Sequence, residues 1–344
     1  MTGVTRLVRA ALLILLVFLV VAIPLGASNY AVRVAALILV MTTLSVGLNL
    51  ILGYTGLLSF GHAALFGVGA YTTARMLIDD RAPLLVVALA SVLLAAVVGA
   101  LVGLASWRVG GDYLALITLG FGEVFFLYVN NAKITGASTG LPGVPIGKLF
   151  GWELRTVQDM YVFALAVAAL TMTVSTVLTS SFLGRAMLAI REDEIVAKSM
   201  GINVPLTKVV VFAIGSGIAG LAGFVQALLL GFVGPASFDI ETSVLAVEIV
   251  LIGGMARTWG PLLGSVVVIG STEYLRSLVE YRELIFGVLV LVILIWRPGG
   301  LAEILGLGRG TSVRLLGRRR PPAPQAQIGA LATEDEGVGV TPHV

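Results

Sequence analysis

The chain has 344 residues, of which 58% are hydrophobic and only 12% charged, about half the roughly 25% charge of soluble domains. With mean hydropathy +1.03, it cannot cover a water-soluble globule of this size, and it is read as a polytopic membrane protein. There is no cysteine, which excludes disulfides, thiolate metal sites and cysteine nucleophiles. The two histidines, His62 and His343, are too far apart to suggest a metal cluster. The net charge of +3 therefore bears on topology and not on nucleic acid, which is not expected as a partner.

A helix needs about 20 apolar residues to cross the bilayer. Uncharged runs of that order lie at 10–32, 34–74, 82–107, 160–184 and 209–232, and 113–130 is a further apolar run interrupted by Glu123. The 34–74 run is long enough for two spans, broken near Gly53, Tyr54, Thr55 and Gly56. The stretches 244–256, 258–272 and 284–296 are short and read as half helices or as spans bounded by Glu248, Glu273 and Glu283. The expectation is an all-α bundle of about ten spans, with eight as the alternative. The 42 glycines exceed the usual share and fit close helix approach, as at Gly99 and Gly103.

Residues 131–159 are rich in turn formers and read as an external loop. Residues 1–308 are taken as the membrane domain and 309–344, rich in Arg, Pro, Ala and Gly, as a disordered cytoplasmic tail. Arg6 and Arg9, with Arg108, Arg185, Arg191, Lys198, Lys208, Arg257 and Arg297, place both termini inside. The first 30 residues share features with a signal peptide but are read as a retained span.

No nucleotide-binding loop is present. Gly147-Lys148-Leu149 lacks both the first glycine and the Ser/Thr of the phosphate-binding pattern. HExxH does not occur, and the GxSxG string at 136–140 lies in the turn-rich external loop rather than between a strand and a helix, so the chain is read as a non-enzyme without cofactor or metal. Polar groups inside apolar runs are costly and usually face a cavity or a partner, which singles out Asn49, His62, Glu123 and Glu248. Asn49 and His62 flank the glycine break, where freed backbone groups need partners. Glu123 stands between pathway and packing roles.

The segment 184–208 carries four basic and three acidic residues between apolar pieces. Its mixed charge favours a surface helix docking on another protein over one lying on lipid. A chain with such a loop and no ATP site draws its energy from a partner.

Six ordered segments then resemble one family. They are LSVGLNLILGYTGLLSFGHAALFGVGAY (44–71), GDYLALITLGFGEV (111–124), TGASTGLPGV (135–144), GRAMLAIREDEIVAKSMGIN (184–203), IGGMARTWGPLLGSVV (252–267) and WRPGGL (296–301). They are similar to the M-type permease subunit of branched-chain amino acid ATP-binding cassette importers.

The resemblance implies the importer permease fold and a homologous H-type permease as partner. It also implies two cytoplasmic ATP-binding subunits and a periplasmic or lipid-anchored substrate-binding protein. The family's ATPase-coupling loop would here include Gly184, Ala189, Arg191, Glu192, Asp193, Glu194, Ala197 and Gly201. Asn49, Tyr54, His62, Gly120 and Glu123 fall in the matching membrane motifs without an assigned role. Location in a bacterial inner membrane follows from the same resemblance. Two alternatives stay open: the same machine carrying urea or another small amide, and an ion-coupled transporter using Glu123, Glu248 and His62. A membrane-embedded enzyme or scaffold would need a nucleophile, metal cluster or headgroup site, and none is visible in the sequence.

Overall fold

The computed structural model describes residues 28–79, 82–106, 112–145, 148–149, 152–274, 287 and 300–304. The expected spans at 10–32 and 284–296, and the tail from 309, lie wholly or largely outside them. The described residues all belong to the first of the two units into which the chain divides, 1–310.

In chain order the helices are α1 (Asn29–Leu48), α2 (His62–Asp79), α3 (Leu84–Ala105), α4 (Asp112–Asn131) and α5 (Val157–Ser180). Then come α6 (Phe182–Glu192), α7 (Glu194–Ser199), α8 (Val204–Leu230), α9 (Ile240–Gly253), α10 (Gly260–Tyr274) and α11 (Leu301–Ile304). Among the described residues, five segments are long and apolar enough to cross a membrane: Asn29–Tyr54, Leu84–Ala105, Tyr113–Asn131, Val157–Ser180 and Val204–Leu230. The fold is therefore an all-α polytopic bundle. α9 and α10, 14 and 15 residues long, are the short helices expected after 232.

The centre of the bundle is α8, packed against α1, α2 and α3. Its sequence explains why. Glycines at 215, 217, 220 and 223 leave a surface with no side chains to keep neighbours away. A Cβ on Gly215 would come 2.7 Å from the Gly47 carbonyl of α1, and one on Gly220 would come 2.5 Å from Ala95 of α3. On α3, Gly103 meets α8 at Phe212 and Val209. Lipid offers no hydrophobic drive between helices, so this close van der Waals approach is a main source of bundle cohesion.

The sequence break near Gly53 is present, but α1 does not stop there. It runs on through a π-helical turn, Asn49–Tyr54, and only then leaves helical form, before α2 begins at His62. The buried start of α2 finds outside partners for its backbone. The Phe60 N–H donates to Thr118 Oγ1 of α4 (3.1 Å) and the Ala63 N–H to Ser243 Oγ of α9 (3.0 Å).

At one end of the bundle, the 131–159 segment forms short 3-10 turns and two-residue strands. β1 (Leu141–Pro142) pairs antiparallel with β4 (Phe232–Val233), and β2 (Lys148–Leu149) with β3 (Trp152–Glu153). Thr156 and Asp159 then form a capping box that starts α5. Arg75 of α2 donates to the Ile134 carbonyl at this same end.

Candidate functional site

The opposite end gathers four segments that are distant in sequence: the π-helical turn, the loop after α5, the α9–α10 connection and the start of α11. Asn49 is buried there. Its Nδ2 donates to the Arg257 carbonyl (3.0 Å), and its Oδ1 accepts from the Ala256 N–H (3.1 Å). The connection needs such support because it bends sharply, with Gly254 at φ +112° and Ala256 at φ +55°. Arg257 in turn donates to the Ala302 carbonyl at 3.3 Å. Tyr54 closes the turn, interacting with the Thr179 and Thr258 side chains.

Asp193 divides the 184–208 segment into two helices. Its carboxylate caps α7, accepting from the Ile195 and Val196 N–H groups at 2.8 and 3.0 Å. α7 ends in a Schellman arrangement: Gly201, at φ +86°, donates to the Lys198 carbonyl and Ile202 to the Ala197 carbonyl. Glu194 pairs with Lys208 of α8. Arg191 points back into the bundle and donates to the Gly53 carbonyl at 2.5 Å. Its burial lowers the guanidinium pKa, against the opposing pull of Glu192, yet an arginine stays charged under such a shift.

These attachments sort the residues of the loop. Gly184 and Ala197 are buried, Ala189 and Arg191 half-buried, and Glu192, Asp193, Glu194 and Gly201 exposed. Gly184 abuts the backbone of Thr179, while Ala197 sits with Ile190 and Val204 in a small apolar core. The apolar side chains turned outward are Phe182 (72% exposed), Ile195 (81%), Val196 and Met200 (76%). The charged cluster drew attention in the sequence, but the outward surface also carries these four apolar side chains among the exposed Arg185, Glu192 and Lys198. Lys208, buried at the root of α8, carried no sequence signal beyond its charge.

The polar groups within the helices are not brought to one place. His62 is fully buried beside Gly47, and neither ring nitrogen makes a hydrogen bond of ordinary geometry. Glu248 is half-buried on α9. Glu123 is exposed on α4, on a stripe with Tyr113, Leu116, Gly120 and Leu127. Among the described residues nothing stands within 4 Å of where a Gly120 Cβ would be. Among the described residues no three His, Asp or Glu side chains assemble as a metal site. A groove of about 370 Å³ between α3, α5 and α8, lined by Val92, Ala96, Leu170, Val174 and Ile218, is almost wholly apolar. It suits an acyl chain and not a zwitterion.

Comparison with known proteins matches residues 30–294 to the family described as branched-chain amino acid transport system / permease component. The high-affinity branched-chain amino acid transport system permease protein LivM of Escherichia coli (strain K12) is 35% identical over 313 residues, 84% of this chain and 74% of that protein. LivM of Salmonella typhimurium is 34% identical over 315 residues, with the same coverage. LivH of Escherichia coli (strain K12) is 25% identical over 279 residues, 74% of this chain and 89% of that protein. No solved structure gives a significant match. With more than half its length under one family model and a third of its residues shared with LivM, the chain belongs to the permease components of branched-chain amino acid transport systems.

Proposed function

We propose that this chain is the M-type half of an ATP-driven importer of branched-chain amino acids in a bacterial cytoplasmic membrane, with both termini inside. Its partners are a homologous H-type permease, two cytoplasmic ATP-binding subunits and a periplasmic or lipid-anchored binding protein. The likeness to both LivM and LivH supports pairing with a related permease.

The observation that carries the reading is the outward apolar surface of α6 and α7. Phe182, Ile195, Val196 and Met200 stand exposed while Arg191, Asp193 and Glu194 are engaged within the chain. An apolar patch rimmed by charge marks a protein contact, and here it is the docking surface for the ATP-binding subunits.

The translocation path runs along the exposed stripe of α4. A carboxylate in mid-bilayer costs at least ~2.5–3.5 kcal/mol and avoids lipid, so the exposure of Glu123 in the single chain supports a path or partner against that face. Gly120, with open space before it, allows close approach there. Glu123 then meets the ammonium of a zwitterionic cargo, and side-chain selection falls to the binding protein.

The test is uptake into proteoliposomes holding the chain with its H-type and ATP-binding partners, with leucine and urea assayed in parallel. ATP-dependent leucine uptake that stops without the binding protein is the expected result. Urea uptake alone would overturn the cargo. Uptake by the single chain that follows an ion gradient would overturn the machine.

A further inference from the structure

The loop and the π-helical turn meet through one side chain, and that contact has a geometry suited to transmission. Gly53 lies in the turn Asn49–Tyr54, where the backbone hydrogen-bond register slips. The Gly56 N–H donates to the Leu52 carbonyl and the Leu57 N–H reaches back to Ile51, each at 3.1 Å. The Leu57 N–H, which would serve the Gly53 carbonyl in an unbroken α-helix, is thereby engaged elsewhere. Arg191 of α6 serves that carbonyl instead, at 2.5 Å. Gly56, at φ +74°, holds the chain against the stem of the arginine, where a Cβ would come 3.0 Å from Arg191 Cγ.

The other side of the same turn is tied to the α9–α10 connection. Asn49 bonds the backbone of Ala256 and Arg257, and Gly53 lies so close that its Cβ would stand 2.7 Å from the Ala256 nitrogen. One turn of helix thus has the docking loop fixed to one side and α9, which carries Glu248, fixed to the other.

We infer that Arg191 is a positioning residue that links the docking loop to the π-helical turn, so that movement of the loop shifts the α9–α10 connection through Gly53 and Asn49. This rests on the reading of the chain as an ATP-driven importer. It assigns Arg191 to the interior of the permease and not to the ATP-binding partner. An arginine is well suited to such a link. Its stem spans from α6 to the turn, and its planar head keeps a directed donor on a carbonyl while remaining charged. A hydrogen-bonded chain of this kind acts as a link only if the turn has two arrangements that both ends bias.

The experiment uses the full complex in proteoliposomes, with wild type, Arg191→Ala and Arg191→Lys. The cysteine-free sequence allows spin labels at Ser199→Cys and Met255→Cys with no background from this chain, in a complex whose partner subunits have had their cysteines replaced. ATP-dependent uptake by wild type is the control; if it is lacking, the importer reading itself falls and the inference with it. Given that control, Arg191→Ala is expected to keep its ATP-binding subunits through purification yet lose tenfold or more of its uptake. Its nucleotide-dependent change in label distance should vanish, and Arg191→Lys should restore part of both. If Arg191→Ala transports like wild type, or keeps the distance change, the inference is overturned. Loss of the ATP-binding subunits in proportion to the loss of uptake would also overturn it, since Arg191 would then serve docking.

Discussion

Lys208 Nζ lies 2.7 Å from a Glu194 carboxylate oxygen, and the two side chains stand in different surroundings: the lysine is 2% exposed and the glutamate 50%. The pair ties the short helix α7 to the root of α8. Losing one partner has unequal consequences, because only the lysine would be left buried without its counter-charge. Glu194→Gln is expected to weaken the attachment by about 1–3 kcal/mol, after allowing for the half-exposed partner. Lys208→Met, which leaves a carboxylate already half in water, is expected to cost less. Amide hydrogen exchange over 194–203 checks this, with faster exchange expected in the glutamine variant.

The outward apolar side chains make a separate prediction. Ile195→Ser and Met200→Ser change residues that are 81% and 76% exposed, so thermal unfolding of the isolated chain should barely move. Binding of the ATP-binding subunits should weaken by about 2 kcal/mol for a central contact, roughly thirtyfold. Co-purification with the two subunits at graded concentrations reads this directly.

Ala197 and Gly201 act from beneath that surface. Ala197 is 1% exposed, and Ala197→Leu overfills its small core at a cost of about 1–3 kcal/mol. Gly201→Val places a β-branched residue at φ +86°, again costing about 1–3 kcal/mol. Both variants should loosen α7 even without partners, as faster hydrogen exchange in the isolated chain. Ile195→Ser should not.

On α4, Glu123→Gln is expected to lower leucine uptake while pairing with the second permease persists, as measured by co-purification. Loss of pairing instead would make Glu123 a packing residue. A Cβ at Gly120 has nothing within 4 Å among the described residues, so with Gly120→Ala the isolated chain should keep its unfolding temperature while uptake falls.

Asn49 offers the simplest stability test. Asn49→Ala removes the buried bond to the Ala256 N–H and the half-buried one to the Arg257 carbonyl, the buried loss costing about 1–3 kcal/mol. A clear drop in unfolding temperature in detergent is expected, and an unchanged value would show that water replaces both bonds.

The bilayer made much of this architecture readable in one dimension. The run 82–107 became Leu84–Ala105, and 113–130 became Asp112–Asn131, because a helix that crosses lipid must be long, apolar and internally hydrogen-bonded. Ordered motifs likewise marked the family before any contact was known. Other features left no trace in the pattern. The π-helical turn has the same apolar residues as the helix it extends, so hydropathy could not show that the register slips there.

Side-chain direction and long-range partners belong to the tertiary structure. Val196 faces out and its neighbour Ala197 faces in, a phase set by where Asp193 caps α7. Arg191 stands in a charged cluster that reads as surface, yet its partner is a backbone carbonyl 138 positions away. Asn49 finds its partners 207 and 208 positions away. Composition determines that the chain enters a membrane and how long its helices are, because each residue is weighed against lipid separately. Which polar group satisfies which depends on the distance between helices, and here the glycine surfaces of α8 set that distance only once the bundle has closed.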